Sequence, residues 1–145
     1  MTKPPPELLA FLHRHDANVR ALALALRRVV IEELSPCHEY IFMMRRRVML
    51  LYGPTSRVID DCVCMIAVYG KHANLQFTSG IELNDPHGLL EGSGTRMRHV
   101  KIRAAADLER PELRELLRQG RRDAGPVWPR AEKGSVVTRV KAPRV

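Results

Sequence analysis

Cysteine and aromatic residues are both scarce in this sequence. Its 145 residues include only three cysteines, an odd number without the spacing of a disulfide framework, which argues against a small secreted scaffold. We therefore expect a chain that stays reduced in the cytoplasm. Phe, Trp and Tyr together make up 5% of the residues, so the core has to be built from Leu, Val, Ile, Ala and Met.

Long apolar runs are missing as well. No uncharged apolar stretch approaches the roughly 20 residues that a membrane-spanning helix needs. The segment Met1–Pro6 is polar and proline-rich rather than signal-like. We therefore predict no membrane partner. Enzyme motifs such as a nucleophile elbow or a zinc-protease helix are also absent from the sequence, so we expect a non-enzymatic protein.

Positive charge is abundant but concentrated near one end. The formal net charge is +8, and residues 121–145 hold seven basic and two acidic residues, a net of +5 that leaves +3 for residues 1–120. Gly and Pro interrupt this segment without any apolar period, so we predict a disordered basic tail. Arg121–Val145 could contact nucleic acid by charge alone. The run Arg45–Arg47 could do the same, or it could guard an edge strand. Apart from Trp128, neither stretch contains an aromatic side chain for base stacking.

Helical periodicity appears in three segments. Ala, Leu and Arg are strong helix formers, and apolar residues recur at helical spacing in each segment. A Ser35-Pro36 step ends the second helix, because proline disfavours the α conformation of the preceding residue. The predicted helices cover about Pro6–His13, Ala17–Leu34 and Asp107–Gln119.

Strand patterns fill the middle of the chain. Continuous apolar runs are typical of strands covered on both faces, and alternation is typical of half-buried strands. The segment Glu39–Tyr52 is predicted to be either one long edge strand or two strands with a turn at Arg45–Arg47. Further strands are predicted at Cys62–Tyr69, His72–Thr78 and around Val100–Ile102.

These elements predict an α+β domain, with helices packed on one face of a small antiparallel sheet of about five strands. We assign residues 1–16 to an N-terminal extension with a short helix, 17–120 to the domain and 121–145 to the tail. Because alternate strand residues face opposite sides, one sheet face is predicted to be polar. It should carry His72, Asn74, Gln76, His99, Lys101 and Arg103.

Residues 69–103 contain an ordered set of elements that occur together in a known family. They are Tyr69, His72, Phe77, Gly80, Leu83, Leu89-Leu90-Glu91-Gly92, Gly94 and Arg98. In this set, and over roughly Ala17–Gln119, the chain resembles the YdhG-like family of small bacterial domains of unknown function. The resemblance implies a frataxin-like fold. The residues by themselves predict no cofactor; iron enters only through this resemblance, because one branch of the family is described as frataxin-like iron chaperones.

A frataxin-type iron site would be an acidic ridge near the first helix. In this chain the first two helices and their connection carry four carboxylates beside four arginines. This mixture of charges departs from an acidic ridge and argues against an iron site of the frataxin type.

The connection before the last predicted strand holds the best candidate site. The turn Gly92-Ser93-Gly94-Thr95 exposes backbone N–H groups, and basic residues follow it directly. N–H groups in a glycine turn and arginine side chains bind phosphate or carboxylate. The alternative is a tight turn beside a solvated basic strand. We predict that a small anionic ligand or a protein partner binds at Gly92, Gly94, Arg96, Arg98, His99 and Lys101.

Two other clusters carry weaker chemical signals. His72 and His99, together with loop carboxylates, could hold iron or zinc, although lone histidines on a polar face more often bond to neighbouring groups. Cys62 and Cys64 should point to one face of their strand, where we expect them to fill the core. The predicted function is a ligand- or partner-binding module. An iron chaperone and a nucleic-acid binder are the alternatives.

Overall fold

In the computed structural model of the chain, which describes residues 3–141, three α-helices pack against a six-stranded sheet. This confirms the predicted α+β class. The helices are α1 (Pro6–Leu12), α2 (Ala17–Leu34) and α3 (Pro111–Asp123). The strands are β1 (Cys37–Met44), β2 (Arg47–Gly53), β3 (Cys64–Val68), β4 (Ala73–Phe77), β5 (Arg98–Ile102) and β6 (Val136–Val140). Their order in the sheet is β5-β4-β3-β2-β1-β6, and all neighbours are antiparallel except β1 and β6.

The three helices share one side of the sheet, hereafter the helical side. In α2, Leu26, Val30 and Leu34 recur at helical spacing and are fully buried. They belong to one apolar cluster with Ile66 and Leu75 of the sheet. Burying a side chain of this size contributes roughly 1.5–3 kcal/mol, so this cluster dominates the stability of the fold. Within residues 3–141, none of the helices has the length and hydropathy needed to cross a membrane.

A two-residue turn joins β1 and β2, so the segment Glu39–Tyr52 is a hairpin rather than one long strand. Arg45 and Arg46 occupy the turn with φ values of 51° and 69°, and Met44 pairs with Arg47 across it. Positive φ at both positions is the pattern of a type I′ turn, whose twist matches that of the flanking strands. Arginine rarely adopts this conformation, which explains why the sequence left both alternatives open.

The predicted strand number and the predicted disordered tail both require correction. Helix α3 continues to Asp123, and β6 adds a sixth strand beside β1. The hydrogen bonds that hold β6 join residues 99 positions apart in the chain: the Gly134 N–H donates to Ser35, and the Thr138 hydroxyl donates to Glu39. Sequence periodicity does not report such distant partners. Residues 142–145 of the predicted tail lie outside the described residues.

A buried ion pair joins α2 to β1. Arg27 donates two hydrogen bonds to the Glu39 carboxylate, at 2.8 and 2.9 Å, and both side chains are almost completely buried. The hydroxyl groups of Tyr52 and Thr138 donate to the same carboxylate at 2.5 and 2.7 Å. Burial, reinforced by Glu39, raises the pKa of Tyr52 well above its usual value, so the phenol remains a donor. Through Thr138 this cluster also holds β6 in register.

The long connection from β4 to β5 folds against the core. The Asp85 carboxylate accepts hydrogen bonds from the backbone N–H groups of Leu89 and Leu90 at 2.9 and 2.8 Å, and Leu89 is buried. Gly80 lies so close to β5 that an added Cβ would be 2.5 Å from the Cβ of Arg98, so no larger residue fits there. The connection therefore holds the turn before β5 against the sheet.

Candidate binding face

The turn before β5 is closed by its own arginine. The Arg98 Nη1 donates to the backbone carbonyl groups of Gly94 and Met97, the latter at 2.7 Å. Gly92 adopts a φ of 122°, a conformation that glycine tolerates far better than other residues. The guanidinium thus meets carbonyl oxygens of its own turn. This arrangement stabilises the turn and differs from the anion cradle that the sequence suggested.

Alternation along β5 divides the predicted ligand-binding residues between two sides of the sheet. Arg98 pairs with the buried Phe77 and points to the helical side, whereas His99 and Lys101 point to the opposite side. Arg96 precedes the strand and donates to the Ser79 hydroxyl at 3.0 Å. Gly92 and Gly94 stay in the turn. Of the predicted set, only His99 and Lys101 lie on the polar sheet face.

The sheet face opposite the helical side, hereafter the open face, carries no helix within residues 3–141. Alternation assigns sixteen strand residues to it, of which none is acidic and three are basic arginine or lysine. They are His38, Tyr40, Phe42, Met44, Arg47, Met49, Leu51, Gly53, Met65, Ala67, Asn74, Gln76, His99, Lys101, Val137 and Arg139. The face is apolar over β1–β3 and polar over β4 and β5, with positive charge on both sides.

Two arginines of the open face lie over tyrosine rings. The Arg47 Cζ is 4.2 Å from the centroid of the Tyr69 ring, and the Arg139 Cζ is 4.3 Å from that of Tyr40. Tyr69 also stacks on His72, with ring centroids 4.8 Å apart and an interplanar angle of 7°. A cation–π contact at an exposed site contributes about 0.5–1 kcal/mol. These contacts hold the arginine side chains against the face.

A loop shields the apolar middle of the open face. Val58, from the segment between β2 and β3, packs with four strand residues, and all five are buried: Tyr40, Met49, Leu51 and Ala67. Larger side chains around this patch remain partly exposed, namely Phe42, Met65 and Tyr69. The accessible surface therefore combines aromatic and thioether groups with the cations beside them.

Asn74 is a polar residue of the open face that is nevertheless buried. The residue is only 6% exposed, and its Oδ1 has no hydrogen-bond partner among residues 3–141. In register it lies between Ala67 and Lys101. A buried polar atom without a partner costs about 1–3 kcal/mol. Folding by itself therefore does not favour an amide at this position.

The two histidines proposed as metal ligands share the open face but are not neighbours. His99 pairs with Gln76, which lies four residues beyond His72, so the histidines are about 13 Å apart along the strands. Residues 3–141 contain no group of three or more His, Cys, Asp or Glu arranged to hold a metal ion. Burial, and then the nearby Lys101 and Arg103, lower the pKa of His72. Its imidazole is consequently neutral at pH 7.

A separate cleft has the opposite charge. It measures about 410 Å³ and opens between the β2–β3 loop, the end of β4 and the end of α3. Two of its carboxylates already have partners within the loop, since Asp61 accepts a hydrogen bond from Thr55 at 2.6 Å and Asp60 pairs with Arg57 at 2.9 Å. The cleft therefore does not extend the basic open face.

Of Cys62 and Cys64, which were both predicted to fill the core, only Cys64 is fully buried, and Cys62 is partly exposed. Cys64 belongs to the core of the helical side, and Cys62 lines the cleft and donates to the Cys64 carbonyl at 3.2 Å. Burial raises the pKa of both thiols. They stay protonated at pH 7 and are poor nucleophiles there.

Known proteins offer no assignment for this chain. No protein-family profile matches it, and no match was found among curated proteins or solved structures. The resemblance of residues 17–119 to the YdhG-like family therefore stays a prediction. The function has to be argued from the geometry of the open face.

Sequence reasoning identified only part of the open face. Its polar strands β4 and β5 were predicted from alternation. The arginine–tyrosine pairs were missed, because the sequence does not show which residues lie across the sheet from Arg47, and because residues 121–145 were predicted to be a disordered tail. The available signal was the β-branched run Val136-Val137-Thr138, because β-branched residues are enriched in strands.

Proposed function

We propose that this protein is a non-enzymatic binding module whose open face accepts an anionic partner. The observation that carries the proposal is the sign of the charge. Of the sixteen strand residues that face this side, none is acidic, and Arg47, Lys101 and Arg139 are basic. Glu91, which pairs with His99 at the outer edge of β5, adds one carboxylate to this side. The proposal keeps the anion-accepting role predicted from the sequence, but it moves that role from the turn at Gly92–Arg98 to the sheet.

Arginine side chains have different partners on the two sides of the sheet. On the helical side, Arg114 and Arg118 bind the Glu33 carboxylate at 2.8 and 2.9 Å, so their charge is compensated. On the open face, Arg47 and Arg139 contact aromatic rings and form no ion pair within residues 3–141. Uncompensated positive charge beside an apolar surface attracts anions, because the low-dielectric surface screens the field poorly.

The apolar part of the open face favours an anion that also carries apolar or planar groups. Phe42 and Met65 are partly exposed on the same face as the cations. A partner that carries apolar or planar groups as well as negative charge would bury this surface, at roughly 25 cal/mol per Å². A simple inorganic anion would use only the charge.

Calorimetric titration with short-chain polyphosphate tests whether the open face accepts anions. At low salt we expect binding that weakens as salt is added, because counterions are released. The double variant Arg47→Glu/Lys101→Glu should lower the affinity by about tenfold or more, which corresponds to about 1.4 kcal/mol.

The double variant Arg14→Glu/Arg28→Glu is the matched control. It changes the net charge equally, but both residues are exposed and belong to α2 or the turn before it. We expect it to change the affinity by less than about threefold, since distant exposed charges are largely screened. An equal loss in both double variants, or no polyphosphate binding by the intact protein, would contradict the proposed function.

A further inference from the structure

We infer that the partner of the open face is single-stranded nucleic acid. This inference rests on the proposed function and adds the chemical class of the anion. Binding to a single strand combines a positively charged surface along the phosphates with flat side chains on which bases stack. The open face brings both features together.

The flat surfaces are the arginine–tyrosine pairs. Arg47 and Arg139 are exposed, and each is held over a tyrosine ring at 4.2 and 4.3 Å. A guanidinium plane that rests on a ring leaves its other side toward solvent, and nucleic-acid bases stack on arginine planes as they do on aromatic rings. The isolated basic segments of the sequence lacked stacking partners, and the fold supplies them from β1 and the end of β3.

The spacing of the two pairs defines a path across the sheet. Leu51 pairs with Tyr40 on one side and with Met65 on the other, and Tyr69 lies four residues beyond Met65. The tyrosines are thus offset by two strand spacings and four residues, about 16 Å in all. Since stacked nucleotides rise about 3.4 Å each, about five nucleotides reach from one pair to the other.

Polar side chains lie along one side of this path. Gln76 and His99 face each other across β4 and β5, and Lys101 lies two residues beyond His99 on the same face. Amide and imidazole groups can hydrogen-bond to the edges of unpaired bases, while lysine contacts phosphate as a point charge. The polar strands therefore suit the bases and backbone of a single strand.

Two other polyanions fit this geometry less well. Specific recognition of duplex DNA uses an element that enters the major groove, whereas the open face is a sheet surface without a protruding helix. An acidic peptide would satisfy the charges but would leave the exposed guanidinium planes without stacking partners. Both become outcomes of the test.

Fluorescence anisotropy with a labelled thymidine oligomer of about ten nucleotides provides that test, because sites of this kind cover about 4–16 nucleotides. We expect the oligomer to bind about tenfold more tightly than polyphosphate of equal charge. An oligomer of about three nucleotides is too short to reach both pairs, and it should bind about tenfold more weakly than the longer one.

The decisive variant is Arg47→Lys/Arg139→Lys, which keeps both charges and removes both planes. It should lower oligomer affinity about tenfold and leave polyphosphate affinity unchanged. Both residues are exposed, and circular dichroism with a melting curve checks the fold. The single variant Arg47→Lys, in the exposed hairpin, should show part of the same effect.

The possible outcomes separate the two proposals. If polyphosphate binds as tightly as the oligomer, or if the lysine variants leave the oligomer affinity unchanged, the inference is overturned while the proposed function stands. Equal or tighter binding of a duplex of the same length, or of polyglutamate, would also overturn it. If no polyanion binds, both proposals are wrong.

Discussion

The two faces of this sheet are built from alternate residues of the same strands, yet charged side chains are buried and paired on one face and exposed on the other. On the helical side, Arg27 and Glu39 are buried and hydrogen-bonded to each other. On the open face, Arg47 and Arg139 lie over tyrosine rings at the surface. A buried charge is tolerated only when it is paired, whereas a surface cation can remain available to a partner. The charged groups of the helical side are therefore part of the packed core, whereas the arginines of the open face stay accessible to solvent.

The largest expected difference comes from removing one arginine on each face. Arg27→Met leaves Glu39 charged, buried and without its bidentate partner, so it should cost about 3–5 kcal/mol of unfolding free energy. Arg47→Met removes only an exposed cation–π contact and should cost less than about 1 kcal/mol. Urea denaturation at pH 7 measures both. Similar losses in the two variants would show that the faces do not differ in this respect.

Two neighbouring residues of β3 allow the stability contributions of apolar side chains on the two faces to be compared. Ile66 faces the helical side and is fully buried, while Met65 faces the open side and is partly exposed. We expect Ile66→Ala to cost about 2–5 kcal/mol, because it leaves a cavity in a packed core. Met65→Ala should cost clearly less, as its surroundings can adjust. Chemical denaturation of the two variants side by side gives the answer, and a larger loss for Met65→Ala would contradict the assignment of the core.

Replacing Asn74 is expected to increase the stability of the protein, by less than the losses expected at Arg27 and Ile66. Replacing this buried amide by valine removes the unpartnered Oδ1 and places a β-branched residue in a strand. We expect Asn74→Val to stabilise the protein by about 1 kcal/mol. Gln76→Val, two residues along the same face, is the control and should change stability by less than about 0.5 kcal/mol. A loss of stability in Asn74→Val would mean that the amide serves the fold.

The smallest expected effect is the response of the open face to pH. Burial, followed by Lys101, Arg103 and His99, lowers the pKa of His72 in the free protein. An anion bound nearby would offset those cations and favour the charged imidazole. Polyphosphate affinity should therefore increase as pH falls from 7 to about 5, by about threefold or less.

The lowered pKa of His72 also makes the stability of the protein depend on pH. The pKa of His72 lies below its unfolded value of about 6.5, so the unfolded chain binds the proton first. The contribution of His72 to stability is complete above that value and is lost as pH falls through the lowered folded pKa. The difference between the intact protein and His72→Asn isolates both effects. An NMR titration of the imidazole that gave a pKa above 6.5 would contradict this account.

Much of the fold could be predicted because it depends on local pattern. The helical spacing in α2 and the alternation in β4 each indicate an element and its buried side, and the structure shows both. The hairpin turn was left open because Arg45 and Arg46 adopt a conformation that their residue type does not favour. Strand β6 was missed because its pairing partner, β1, lies about a hundred residues earlier.

The candidate site was predicted only in part, for a related reason. His99 and Lys101 belong to the open face as expected. Arg98 does not, because it is the neighbour of His99 in a strand and therefore points to the other side, where its guanidinium binds the carbonyl groups of its own turn. Adjacent residues in sequence are poor candidates for one site when they belong to a strand.

The α+β class, the helices and the polar character of β4 and β5 could be predicted from the sequence, because they depend on periodicity and residue type over a few residues. Only the tertiary structure decided that a segment near the end of the chain becomes an edge strand and that Arg47 and Arg139 meet the tyrosines of other segments. Those contacts depend on strand order and register. Both are set by packing against the helical core rather than by any local pattern.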